Sequence, residues 1–190
     1  MTRIVVVVGH ARVDTFCEAL GNRYAAGART AGHDITVFVT SRMAFDPILR
    51  RGYDGLQPLE PDLQAARDAI VSADHLVLIF PLWMGTLPAI FKGFLERVLQ
   101  PDLLPSKAAG RFLPTLAGKS VRVVITMGMP GLIYRWWYGA YALNMLKRNI
   151  LGFLGAGPIR STIHGNIEGV GAYGRARWLD EAEAMGRTAG

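Results

Sequence analysis

Three segments of the chain carry side chains suited to holding a phosphate and a flat ring. The first, Gly9-His10-Ala11-Arg12-Val13-Asp14-Thr15-Phe16, follows a β-branched run and leads straight into a helical pattern. Free backbone N–H groups and the positive end of the dipole make such a helix start a natural phosphate site, with His10, Arg12 and the Thr15 hydroxyl in reach. Thr15 and Glu18 also spell a capping box, in which Thr15 satisfies its own helix. The loop carries neither a Walker A nor a GxGxxG pattern, so both readings stand. The second segment, Phe80-Pro81-Leu82-Trp83-Met84-Gly85-Thr86-Leu87-Pro88, sets an aromatic and a thioether between two prolines. Such groups either pack their own loop or meet a flat apolar partner. The third, Thr126-Met127-Gly128-Met129-Pro130-Gly131, is followed by Tyr134. Its glycines let a ring approach the backbone, or serve only the shape of a turn that needs a positive φ at Gly128.

Each segment follows a predicted strand. Arg3–Val8, 34–40, 75–80 and Ser120–Thr126 are apolar at nearly every position, and a fifth strand is expected at 158–163. Strands of that texture must be covered on both faces, which predicts an α/β doubly wound parallel sheet. Helices are predicted over 15–30, Pro61–Ser72, 88–99, 137–151 and 175–187. In the third of these, Ile90, Phe91, Phe94, Leu95, Val98 and Leu99 form one broad apolar face. Residues 42–60 and 101–118 hold five of the ten prolines and read as long loops within one domain spanning 1–190. In such a sheet, ligands bind beyond the carboxyl ends of the strands, where the three segments lie.

Composition narrows the function classes. With 190 residues, 51% hydrophobic and 19% charged, the chain can bury a large core. Cys17 is the only cysteine, which excludes an internal disulfide or a thiolate metal cluster and fits a reducing cytoplasm. No metal-ligand or Ser/His/Asp spacing occurs. The net charge of +6 is scattered, without a nucleic-acid motif, and suits phosphorylated cofactors. No apolar run is long enough to span a bilayer. The run Ile4 to Val8 stops at Gly9-His10 without a signal-peptide cleavage pattern.

Phe80-Pro81-Leu82-Trp83 through Leu87-Pro88-Ala89-Ile90-Phe91-Lys92-Gly93-Phe94-Leu95-Glu96-Arg97-Val98 resembles the signature F-P-L-x-W-x-x-x-P-A-x-x-K-G-x-x-x-R-V, with the tryptophan one position early. Met43-Ala44-Phe45-Asp46-Pro47-Ile48 and Ala73-Asp74-His75-Leu76-Val77 are similar to its connecting segments. The chain thus resembles the flavodoxin-like NAD(P)H dehydrogenase (quinone) family, which includes the DT-diaphorase type and the bacterial drug-activity modulators. The resemblance implies a flavodoxin-like five-stranded sheet in the order 2-1-3-4-5. It puts a flavin phosphate at His10, Arg12, Thr15, Phe16 and Cys17, and the isoalloxazine ring against Pro81, Leu82, Trp83 and Met84. Thr126, Met127, Gly128 and Met129 would border the ring's polar edge, with Tyr134 as the catalytic candidate beside it.

Three positions depart from the family pattern. Asp14 stands where a neutral hydroxyl residue is commoner, so Arg12 would have to offset it; Cys17 replaces Asn, and Ala140 replaces a histidine partner of the tyrosine. The implied reaction is ping-pong hydride transfer from NADH or NADPH, through FMN or FAD, to a quinone. FMN is favoured because a chain of this length has little extra structure to cradle an adenosine. A nitro- or azo-reductase would differ only in its acceptor. A regulatory flavoprotein subunit of a membrane transporter is an alternative of another class, and an electron carrier fits the positive charge less well. The bulky residues of 132–151 predict a homodimer interface near the active site.

Overall fold

The computed structural model describes residues 1–52, 54–103 and 114–190. The chain runs through β1 (Arg3–Val8), α1 (Phe16–Thr30), β2 (Asp34–Val39), α2 (Pro61–Ser72), β3 (His75–Pro81), α3 (Ala89–Val98), β4 (Ser120–Thr126), α4 (Gly131–Trp136), α5 (Tyr141–Met145), β5 (Ile159–His164) and α6 (Gly171–Thr188). All strand pairs are parallel, in the order β2-β1-β3-β4-β5. The expected doubly wound sheet is thus the observed one.

Strand parity divides the core. Val5, Val7, Leu78, Phe80, Val123 and Ile125 face a layer built by Leu63 and Ala66 of α2, Phe91 and Phe94 of α3 and Leu143 of α5. Ile4, Val6, Val8, Val77, Ile79 and Val124 face Leu20 and Tyr24 of α1 and Trp178 and Ala182 of α6. A strand apolar at every position is the consequence of serving both layers. On the second face α1 and α6 cross at glycines. A Cβ on Gly27 would lie 2.0 Å from the Glu183 carbonyl oxygen, and one on Gly186 would lie 2.0 Å from that of Tyr24.

The signature segment owes its Gly93 and Arg97 to packing. A Cβ on Gly93 would lie 2.3 Å from the Pro47 carbonyl oxygen. Arg97, fully buried, donates to the carboxylate of Glu60 at 2.8 Å, to the Pro58 carbonyl at 2.7 Å and to the Asp46 carbonyl. Two residues one helical turn apart therefore seat the predicted loop 42–60 on α3. A buried cation is tolerable only with such a set of partners.

Several boundaries differ from the sequence expectation. β2 stops at Val39 because Thr40–Arg42 forms a 3₁₀ turn, β3 runs one residue further, and β5 is displaced by one residue. The helix predicted over 137–151 begins only at Tyr141; residues 137–140 form the turn between α5 and α4, a helix that sequence reading did not predict. α4 ends at a turn in which Gly139 and Ala140 both take positive φ, and α5 then continues into a π-helical stretch, Leu146–Gly152. Apolar periodicity could not reveal that break. Of the predicted loop 101–118, residues 104–113 lie outside the described residues.

Candidate functional site

The strand order reverses between β1 and β3, and the crevice beyond their carboxyl ends is where such sheets bind ligands. The 9–15 loop after β1 is held from both sides. Gly9 donates to the Ile79 carbonyl at 2.8 Å, and its missing Cβ leaves room for the Phe91 ring, which that atom would meet at 2.2 Å. His10 is buried, and its Nδ1 accepts the Arg12 N–H at 2.9 Å. Burial, and then the neighbouring Arg12, lower its pKa below the usual histidine range. The ring is therefore neutral at pH 7, with Nε2 left as its N–H donor.

At the start of α1 the helix cap and the phosphate reading coexist. The Thr15 hydroxyl accepts the Glu18 N–H at 3.4 Å, so that side chain serves its own helix. The Glu18 carboxylate does not return to Thr15 as a capping box would have it; it accepts the Asp14 N–H at 2.9 Å. Among the described residues, the N–H groups of Phe16 and Cys17 have no protein acceptor. These two donors at the positive end of a 15-residue helix are what remains for an anion.

Side-chain directions correct two expectations. Cys17 faces the core, with Sγ 3.2 Å from the Thr126 hydroxyl, and burial pushes its thiol up to about 11. Both side chains are spent on joining α1 to β4, so only the backbone of Cys17 is free to meet a phosphate. Phe16 likewise packs towards α6, its ring 6.2 Å from that of Trp178. Arg12 is exposed and has no carboxylate partner among the described residues. The counterion of Asp14 is instead Arg42, at 2.9 Å, which also binds Glu18 at 2.9 Å. Sequence reading missed Arg42, although its place at the end of β2, next to β1, was the available signal.

After β3, Pro81 is buried in the strand, and the half-buried Leu82 donates to the Thr126 carbonyl at 2.8 Å. Trp83 and Thr86 exchange backbone hydrogen bonds around Met84 and Gly85, both at positive φ. This tight turn sets the Trp83 ring edge-on to His10, with centroids 5.0 Å apart, and leaves Met84 wholly exposed at its tip. After β4, Met127 is buried and donates to the His164 carbonyl at 2.9 Å. The N–H groups of Gly128 and Met129 meet no acceptor among the described residues. Gly128 does not take a positive φ; a Cβ there would meet only the Glu168 carboxylate, at 3.8 Å. Glu168 is a second neighbour that sequence reading did not identify.

Tyr134 does not present its hydroxyl as expected. The residue is buried, and its oxygen accepts the Leu143 N–H at 3.1 Å, capping the first turn of α5. Burial raises its pKa above the usual tyrosine range. Tyr134→Phe is therefore expected to cost about 1 kcal/mol of stability while changing the rate of the reaction at this site by about tenfold or less. Thermal melting and stopped-flow measurement on the same variant check both. A rate loss on the order of a thousandfold would contradict the capping role.

A separate cavity of about 800 Å³ opens between residues 47–52, α3 and residues 149–154. It is apolar apart from the Lys92–Glu96 pair and Asn149, and none of the strand-end residues lines it. The free N–H donors lie instead at the strand ends, which makes that crevice the candidate site.

Comparison with known proteins identifies the fold family. A family model described as flavodoxin-like fold matches residues 2–185. An uncharacterized NAD(P)H oxidoreductase of Haemophilus influenzae is 27% identical over 173 residues, covering 88% of this chain and 85% of its own. The structure of an NAD(P)H:quinone oxidoreductase from Methanothermobacter marburgensis superposes with a TM-score of 0.81 at 22% identity, over 98% of this chain and 96% of that one. An FMN-dependent NADH-azoreductase from Bacillus anthracis, solved with FMN, gives a TM-score of 0.73 at 13% identity over the whole of both chains.

Proposed function

The chain belongs to the flavodoxin-like fold family, and we propose that within it this protein is a flavin-dependent oxidoreductase that uses NADH or NADPH to reduce a quinone or similar two-electron acceptor. The observation that carries this reading is the presence at the strand ends of two pairs of N–H donors that meet no acceptor among the described residues, at Phe16–Cys17 and Gly128–Met129, with the Trp83 turn lying beside His10. The donor sets fit a group with a phosphate at one end and a polar ring edge at the other. When bound, the flavin supplies hydride transfer between nicotinamide and acceptor, which side chains alone cannot perform.

The protein's own part is binding and orientation. Phe16 and Cys17 N–H, with the neutral His10 Nε2–H, bind phosphate; Trp83 and Leu82 offer an apolar wall, and the Gly128 and Met129 N–H groups favour negative charge on the facing ring edge. No side chain here is placed to act as a nucleophile, and Tyr134, whose hydroxyl is engaged, holds α5 in place. Donor and acceptor use one open face in turn, which predicts ping-pong kinetics.

We favour FMN over FAD, for want of structure around an adenosine, together with a cytoplasmic location and a homodimer. No described helix is long and apolar enough to cross a membrane. The dimer reading rests on Leu132, Trp136, Trp137 and Tyr141, whose side chains stand out of the core, with Trp136 at 81% and Trp137 at 83% exposure. Large exposed apolar side chains gathered within ten residues are the signal of an interaction face.

The test is purification followed by release of the cofactor, its identification by mass, and assay with NADH or NADPH against quinones and azo dyes. We expect a yellow protein with one FMN per chain, quinone reduction with parallel-line kinetics, and a dimer in sedimentation. A colourless protein that neither flavin reconstitutes would refute the flavin reading; a fully active monomer would refute the dimer alone.

A further inference from the structure

We infer that Arg42 sets the affinity of this site for the phosphate of its flavin, as a positioning residue that pairs with two carboxylates at the start of α1 and offsets their charge; the inference rests on the flavin reading above. Three consecutive residues after β2 hold the 9–15 loop. The Thr40 hydroxyl lies 3.2 Å from the Val8 carbonyl and 2.9 Å from that of His10, donating between them, and the Ser41 hydroxyl donates to the Arg12 carbonyl at 3.1 Å. Arg42 completes the set through Nε to Glu18 at 2.9 Å and a terminal nitrogen to Asp14 at 2.9 Å.

The electrostatic problem is specific to this chain. Asp14 and Glu18 flank the two N–H groups offered to an anion, and Asp14 sits at φ 55°, in the left-handed region, where its N–H is turned to Glu18. Uncompensated negative charge on residues one or two positions from the N–H donors offered to a phosphate would oppose its binding. Arg12, the cation nearest in sequence, makes no ion pair with either acid. Arg42 reaches both with one planar fork, a geometry that the point charge of a lysine cannot copy. The phosphate loop therefore draws the counterion that halves its negative charge from the end of the neighbouring strand.

The experiment compares FMN and riboflavin, which differ by the phosphate, on full-length protein stripped of its flavin. For Arg42→Gln we expect the FMN Kd to rise by about tenfold or more while that of riboflavin changes by about twofold or less. Arg42→Lys should recover part of the FMN affinity. Adding Asp14→Asn to Arg42→Gln should return the FMN Kd to within about threefold of the wild type, because it removes one of the two carboxylates left unpaired and restores the wild-type net charge of the group, and asparagine tolerates the left-handed backbone. Equal losses for FMN and riboflavin would mean that Arg42 only supports the loop's shape. No loss for FMN, or no recovery in the double variant, would equally overturn the proposal. A wild-type protein that binds neither flavin overturns the flavin reading itself, and this inference with it.

Discussion

Gly27→Val is expected to lower the melting temperature by about 8–16 °C, the largest stability effect of any single substitution considered. The reason is the crossing of α1 and α6. A Cβ at this position would lie 2.0 Å from the Glu183 carbonyl oxygen and 2.8 Å from its carbonyl carbon. Those atoms belong to a helix backbone and cannot turn aside as a side chain would. The helices must separate, which opens the layer formed by Leu20, Tyr24, Trp178 and Ala182. Overpacking commonly costs about 1–3 kcal/mol, and an unyielding backbone contact takes it to about 4. Ala26→Val, on the exposed side of the same helix, controls for helix propensity and should cost only about 0.6 kcal/mol. If the two variants melt within about 2 °C of each other, the close crossing carries no such energy.

Gly128→Val should do the opposite: leave the fold intact and abolish flavin retention. Around Gly128 the only neighbour among the described residues within reach of a new Cβ is the Glu168 carboxylate, at 3.8 Å, and the backbone needs no positive φ. The flavin-free variant should therefore melt within about 2 °C of the wild type. In the proposed complex the ring edge approaches the N–H groups of Gly128 and Met129, and a β-branched side chain would stand in that approach. Losing about 2.7 kcal/mol to overpacking corresponds to a rise in flavin Kd of about a hundredfold. Purified wild type and variant can be compared by absorbance and by titration of the stripped proteins. A variant that purifies with a full complement of flavin would place the ring elsewhere.

Much of the architecture is legible because its signals are local. Five apolar runs separated by helical stripes already require a parallel sheet covered on both faces, and the Gly9–Phe16 loop after β1, the Trp83 turn after β3 and the glycine-containing loop after β4 mark the strand ends. The resemblance carried by Phe80 to Val98 added the strand order. The break between α4 and α5 was hidden because Ala140 takes an αL conformation that its residue type does not advertise.

Within the site, residue types alone identified the loops but not the direction of their side chains. Cys17 and Thr126 were assigned to the cofactor, and strand and helix parity turns them towards each other instead. Tyr134 was assigned to the ring edge, and its hydroxyl caps α5. Such directions follow from which layer an element faces, a fact that no short window of sequence contains.

By itself, then, the sequence determined the strands, their burial on both faces and the loops that could carry chemistry, because hydrophobic periodicity and turn residues act over a few positions. Tertiary structure decided which charges meet. Arg42 lies 24 residues from Glu18 and 28 from Asp14, and becomes their counterion only because β2 pairs beside β1 and delivers its end to the same crevice. Coulomb attraction depends on distance in space, and the sheet sets that distance.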